Sequence, residues 1–251
     1  MSKGRLIGAA MTGISRFLYA DHATAMGVSM AAQCIDQVRE AARENLQRFD
    51  NQCRMLDLPS FEGRLLDDQA ADGLVLQSRY GDLVVLGQVN PEDPISPMEE
   101  ETPEFVAMHG ARPVLVVPYA GHFEAPFQRI LAAWDGSMEA TRAITAAIPL
   151  MQEARRVTLA VYNAGREPDT HGGEPGADMA LYLARHGIEV EVSSQVTAID
   201  VGSALLSFAA DTDADLLVMG CYGHSRFREI MLGGATRTIL QSMTLPVLMA
   251  H

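Results

Sequence analysis

Short apolar runs alternate with longer amphipathic ones along most of the chain. In the second half, Arg129–Trp134, Val157–Tyr162, Ile188–Ser193, Leu216–Gly220 and Pro246–Met249 have the length and composition of strands. Between them, apolar positions recur at helical spacing over Met138–Met151, Ala177–His186, Val201–Ala210 and Gly234–Met243. Strands alternating with helices imply parallel pairing through right-handed crossovers, hence an α/β fold with a doubly wound parallel sheet. The first half is less regular. Leu6–Ala10 reads as a strand, about Ala23–Cys53 as a long helix, Gly63–Leu66 as a strand, then a helix from Asp68 and a strand from Asp82. Either one βα unit is missing or the chain starts inside the repeat. Arg5-Leu6-Ile7 resembles Arg129-Ile130-Leu131, which would make it a first strand; the preferred reading is a second strand, with the opening unit lost.

The two halves repeat one another. Asp82-Leu83-Val84-Val85-Leu86-Gly87 matches Asp215-Leu216-Leu217-Val218-Met219-Gly220, and Arg112-Pro113-Val114-Leu115-Val116-Val117 matches Leu245-Pro246-Val247-Leu248-Met249-Ala250, both at a spacing of 133 residues. One spacing at both ends of the interval indicates a tandem duplication of two doubly wound domains, 1–121 and 127–251, the first incomplete or degenerate. Pro113 and Pro246 open the closing strands, where a missing N–H is tolerated.

The second half carries the candidate chemistry. The strand Leu216–Gly220 runs into Gly220-Cys221-Tyr222-Gly223, followed at Gly233 by Gly233-Gly234-Ala235-Thr236. Glycines where a strand ends and a helix begins let bare amides and the helix dipole approach phosphates. Thr236 adds a hydroxyl in the first turn. Without further context, such glycines more often merely mark tight turns. Asp135, in Trp134-Asp135-Gly136-Ser137, follows the first strand of this half and so lies at the same sheet edge. Its carboxylate is suited either to a ribose or adenine contact or to capping the next helix.

Composition narrows the partners. A formal net charge of −13 argues against nucleic acid, which is bound by basic surfaces, but not against one phosphate ligand held by amides. Lys3 is the sole lysine, which leaves no lysine for catalysis. Cys34, Cys53 and Cys221 form no C-x-x-C pair, in keeping with a reducing compartment. Neither a signal peptide nor an apolar run of membrane-spanning length is evident, so the expectation is a cytoplasmic protein with no membrane partner.

These residues resemble the universal stress protein family, whose nucleotide motif Gly-x2-Gly-x9-Gly-[Ser/Thr] is matched by Gly220-x2-Gly223-x9-Gly233 followed by Gly234. The resemblance also takes in Asp135, the Asp-Leu-Leu-Val-Met-Gly strand and the closing Leu-Pro-Val-Leu-Met strand, from about Phe127 to His251. It implies binding of ATP, or of ADP or AMP, with Mg2+ left open, in a stress-linked protein with no assigned catalytic residue. By that resemblance Asp135 contacts adenosine, Val161 lines the adenine pocket and Gly220 faces the ribose, while Gly223, Gly233, Gly234, Ala235 and Thr236 line the phosphates. Gly234 departs from the family's Ser or Thr, losing a hydroxyl while keeping an amide. In the first half Asn90 replaces the second glycine, and an acidic, proline-rich loop runs from Pro91 to Glu104. Such a loop repels phosphate, so this half is expected to bind no nucleotide and to serve as structural partner, the two closing strands meeting as in family dimers. A homodimer is compatible with this arrangement. A nucleotide-free interaction module and a slow ATPase are the alternatives.

Other signals carry less. Gly223-His224-Ser225-Arg226-Phe227 begins like a hydrolase elbow but lacks its last glycine. Asp211, Asp213 and Asp215 lack the glycine and distal Glu of a calcium loop, and the histidines lack zinc spacing, so no metal site is expected. Cys221 sits beside the presumed dipole, where either a lowered thiol pKa or plain packing would suit it.

Overall fold

The computed structural model describes residues 4–14, 28–90, 101–166, 173–222 and 234–251, with side chains of 28–34 outside that description. The chain separates into two compact units, and the division falls at Gln77/Ser78 rather than near Gly121. A boundary between repeats and a boundary between packed bodies are thus different things here.

In the first unit, β1 (Leu6–Met11) and β2 (Phe61–Leu66) pair in parallel, Leu6 opposite Phe61 through Met11 opposite Leu66. The long helix α1 (Val28–Met55) crosses between them and packs on both strands. The ring of Phe49 lies over Gly8 and meets Phe61 edge-on at 6.4 Å. At the end of β2, Asp67 takes Arg39 and the Thr12 hydroxyl, tying the helix to the strand ends. Helix α2 (Ala70–Ser78) follows.

The second unit is built on seven strands in the order β3-β4-β9-β8-β5-β6-β7. β3 (Val84–Gly87), α3 (Thr102–His109) and β4 (Val114–Val117) come from the first half of the sequence. From the second half come β5 (Arg129–Ala133), α4 (Met138–Met151), β6 (Arg156–Tyr162), α5 (Ala177–Arg185), β7 (Val190–Gln195), α6 (Val201–Asp211), β8 (Leu216–Gly220), α7 (Ala235–Ser242) and β9 (Val247–Ala250). Among the described residues the alternating pattern thus places every strand and α-helix of this half; a 3-10 turn at Ala164–Arg166 was not expected. The acidic loop is shorter than expected: Thr102 already begins α3, with Pro103 in its first turn, where a proline costs no hydrogen bond.

The sheet is parallel except at one join. β4 pairs with β9 antiparallel, Val114 opposite Met249 and Val116 opposite Val247. The closing strands of the two halves therefore meet directly. The repeat extends to individual hydrogen bonds. Val84 N–H donates to the Pro113 carbonyl at 3.0 Å, as Leu217 N–H does to Pro246 at 3.0 Å. Gln88 to Val117 at 2.7 Å is echoed by Cys221 to Ala250 at 2.9 Å.

The order of the described elements sets the two halves in correspondence. The series β1-α1-β2-α2-β3-α3-β4 follows β6-α5-β7-α6-β8-α7-β9, with β1–β2 paired in parallel as β6–β7 are. Leu6–Met11 therefore stands in the position of a second strand. Among the described residues nothing takes the place of β5 and α4 beside β3. The effect is seen in matched residues: Val218 is fully buried under α4, whereas Val85, 133 positions earlier, is 55% exposed.

Ile144, Ala147 and Met151 of α4 share one buried cluster with Met179 and Leu183 of α5 and with Ile130, Leu159, Val218 and Leu248 of the sheet. Helices α6 and α7 pack against each other. Right-handed crossovers put that pair on the opposite face, as a doubly wound sheet requires. No described helix is long and apolar enough to cross a membrane.

Candidate functional site

Strand order reverses between β5 and β8: the chain leaves β5 for β6 on one side, while β8 flanks the other. At such a switch point the crossovers diverge to opposite faces and leave a crevice beyond the strands' carboxyl ends. A cavity of about 290 Å³ lies there, walled by Ala133, Ala160, Met219 and Gly220 from the strands. Val201 and Leu205 of α6 and Ala235 and Thr236 of α7 close it, and Asp135 and Asp200 bring the carboxylates.

Asp135 is held in place by the chain that follows it. Its Oδ1 accepts from the Ser137 N–H at 3.0 Å. Between the two, Gly136 adopts φ 79, a left-handed conformation that disfavours any side chain. Ser137 itself caps α4, its hydroxyl accepting from Ala140 N–H at 3.0 Å. The capping role open to Asp135 thus belongs to Ser137, and the Asp135 carboxylate lines the cavity instead.

Gly220 faces the cavity because α4 presses on its other side. A Cβ there would lie 2.5 Å from the Ala140 nitrogen and 2.7 Å from the Glu139 carbonyl carbon. Just beyond, Tyr222 holds φ 52, unusual for a residue with a side chain, and its N–H donates to the Thr236 hydroxyl at 3.3 Å. Thr236 is a buried residue, and its hydroxyl is therefore engaged in closing the site as well as lining it. Gly234 is the cap residue of α7 and offers no side-chain hydrogen bond. Helix amides at the first positions have no intrahelical acceptor, and Ala235 and Thr236 hold those positions in α7. Gly223 and Gly233 lie outside the described residues.

Val161 does not line the cavity. Strand side chains alternate, and its own is fully buried on the face that meets Gly176. Ala160 and Tyr162 reach the cavity in its place. The ladder agrees: Ala160 accepts from Trp134 N–H on the β5 side, whereas Asn163 N–H donates to Gln195 on the β7 side. By alternation the backbone of Tyr162 faces the β5 side, past the end of β5 at Ala133, and that of Val161 faces β7.

Tyr162, Asp200 and Tyr222 are the contributions that motif reading missed. Strand alternation from Ala160 could have found the first, and the Asp before an apolar helical run could have found the second. Asp200 caps α6, its Oδ2 accepting from Ser203 N–H at 2.9 Å. Burial, with the charge of Asp211 second, pushes the Tyr162 phenol above its ordinary 10.0. It therefore stays a hydrogen-bond donor through neutral and mildly alkaline pH. Above pH 10 the unfolded chain releases this proton before the folded one, so stability should fall. Denaturant unfolding at rising pH is expected to show a steeper loss in the wild type than in Tyr162→Phe.

Among the described residues no group of three or more His, Cys, Asp or Glu is placed to hold a metal ion. The described cavity wall offers two carboxylates and no cation, a composition suited to hydroxyls and amines at that end. Apolar strand ends beside Asp135, with helix amides beyond Gly234, fit a nucleoside bearing phosphate.

Similarity to known proteins follows the same geometry. A universal stress protein from Archaeoglobus fulgidus DSM 4304 has a solved structure that superposes with a TM-score of 0.71 at 17% identity, covering 98% of this chain and 88% of that one. A functionally unknown protein from Pseudomonas aeruginosa PAO1 gives a TM-score of 0.55 at 13% identity, over 98% of this chain and 92% of that one. Both likenesses concern the fold alone. A universal stress protein of Synechocystis sp. is 28% identical over 142 residues, 55% of this chain. That match spans 46% of the relative's length. Residues 126–251, half of the chain, match the family model of the universal stress protein family, and the protein belongs to that family.

Proposed function

We propose that the protein is a tandem universal stress protein whose second domain, 127–251, binds ATP or a related adenine nucleotide, and whose first, 1–121, binds none. The observation that carries this reading is the convergence of Asp135, Gly220 and the first turn of α7 on one cavity at the switch point. Adenine enters between Ala160, Val201 and Leu205, with the Tyr162 backbone, rather than Val161, along its polar edge. Asp135 accepts from the ribose, Gly220 lies beneath it, and Ala235 and Thr236 donate to the phosphates together with Gly223, Gly233 and Gly234. Among the described residues β3 stands in the place of β8 with no strand beside it in the place of β5, which supports a first half that binds none. The output of binding is regulatory, through conformation or partners.

Nucleotide released from freshly purified, denatured protein and resolved by anion exchange is expected at about one per chain. Asp135→Ala removes a charged acceptor and should weaken ATP binding about tenfold or more in calorimetry. Absence of both released nucleotide and binding heat would overturn the reading. It would favour instead a nucleotide-free interaction module. That second reading has support in Gly234 standing where the family carries a hydroxyl, and in the engagement of the Thr236 hydroxyl by Tyr222.

A further inference from the structure

The opposite edge of the sheet carries a second cavity, of about 450 Å³, at the amino ends of β5, β6 and β8. Three arginines line it, Arg129, Arg155 and Arg156, on a chain whose net charge is −13. Arg129 and Arg156 are register partners across the parallel pair β5–β6. Partners in register project to one face from strands about 5 Å apart, and like charges so placed repel. Among the described residues neither has a carboxylate within ion-pair distance.

Asp213 and Asp215 share the lining with the three arginines. Asp215 spends its carboxylate on two backbone amides, Gln128 N–H at 2.7 Å and Arg129 N–H at 2.9 Å. Asp213 offers its carbonyl, which accepts from Arg129 Nε at 2.6 Å and orients that guanidinium. The backbone N–H groups of Arg155 and Arg156 both donate to the Gln128 carbonyl, at 2.9 and 3.1 Å, so the turn carrying them is pinned to β5. The Thr212 hydroxyl is engaged by the Phe208 carbonyl at 2.7 Å, so charge rather than hydroxyl contact defines the recess. A rigid backbone thus presents repelling guanidiniums to one recess. Their planar forks match tetrahedral oxyanions.

We propose that Arg129, Arg155 and Arg156 form a binding site for a phosphate group, on the sheet edge opposite the adenine-nucleotide cavity. The bound anion bridges the paired arginines and offsets their repulsion. The source of the phosphate is either the free ion or a small phosphate-bearing metabolite.

Thermal unfolding at low ionic strength in a phosphate-free buffer tests this, with inorganic phosphate, ribose 5-phosphate and ribose as probes. Both phosphates, and not ribose, are expected to raise the Tm of the wild type. A larger shift with ribose 5-phosphate would assign the site to a phosphate-bearing metabolite, and equal shifts to the free ion. Without anion, Arg156→Gln should be at least as stable as the wild type, because a repulsion is removed. Its affinity for phosphate, from titrations, should be at least about fivefold weaker. An equal response in the wild type and the Arg129→Gln/Arg156→Gln double variant would overturn the proposal. So would no response in the wild type.

Discussion

Replacing Gly220 by alanine is expected to destabilise the protein by about 3 kcal/mol and to distort the nucleotide cavity, since overpacking against backbone cannot be relieved by a rotamer change. The new Cβ would sit 2.5 Å from the Ala140 nitrogen, forcing the first turn of α4 away from β8. That turn carries Ser137 and follows Asp135, so the adenosine end of the site moves with it. The internal control is Gly87, which occupies the matching position in the first half and where, among the described residues, nothing lies within 4 Å of an added Cβ. Gly87→Ala should change stability by no more than about 0.5 kcal/mol. Urea unfolding of the two variants, followed by the fluorescence of Trp134, the chain's one tryptophan, checks the contrast. Equal effects would show that α4 does not lean on β8 as described.

A second large effect is expected in β4. Val116 is fully buried and lies in register with Val247 of β9. Val116→Asp buries an unpaired charge and should cost about 4 kcal/mol or more. Against a total stability on the order of 5–15 kcal/mol, that is enough to unfold much of the population. Because β4 and β9 share one sheet, the loss should be visible at Trp134 and in nucleotide binding, although the substitution lies in the first half of the sequence. Val85→Asp, at a site 55% exposed on β3, should stay close to wild type. A Val116→Asp variant that kept its Trp134 transition unchanged would show that the sheet is not continuous across the two halves.

Much of this was legible beforehand because local chemistry dictates it. Met138–Met151 forms a helix over the whole range expected, since its apolar residues recur at helical spacing and Ser137 supplies the cap. The meeting of β4 with β9 was an expectation of the family resemblance rather than of any local run of residues, and the structure adds the register. Less legible was anything depending on which way a residue faces at the end of a strand. Val161 matches the motif by position, but the pleat turns its side chain into the core and brings Tyr162 to the cavity. Asp200 and Tyr222 are far from Asp135 in sequence, and only the convergence of α6 and β8 on β5 assembles them. The start of α3 inside the acidic loop escaped notice because its eight residues are too few for a periodicity to emerge.

By itself the sequence determined the alternation of strands and helices, the 133-residue repeat and the presence of a glycine turn beside an aspartate. These follow from side-chain size, hydropathy period and backbone freedom, which act over a few residues. Tertiary structure alone decided that β3 and β4 join the second half's sheet, that Gly220 is pressed by α4 while Gly87 is bare, and that three arginines meet at the far edge. Those outcomes depend on which strands become neighbours, and neighbours are chosen by burial of whole faces rather than by any local run of residues.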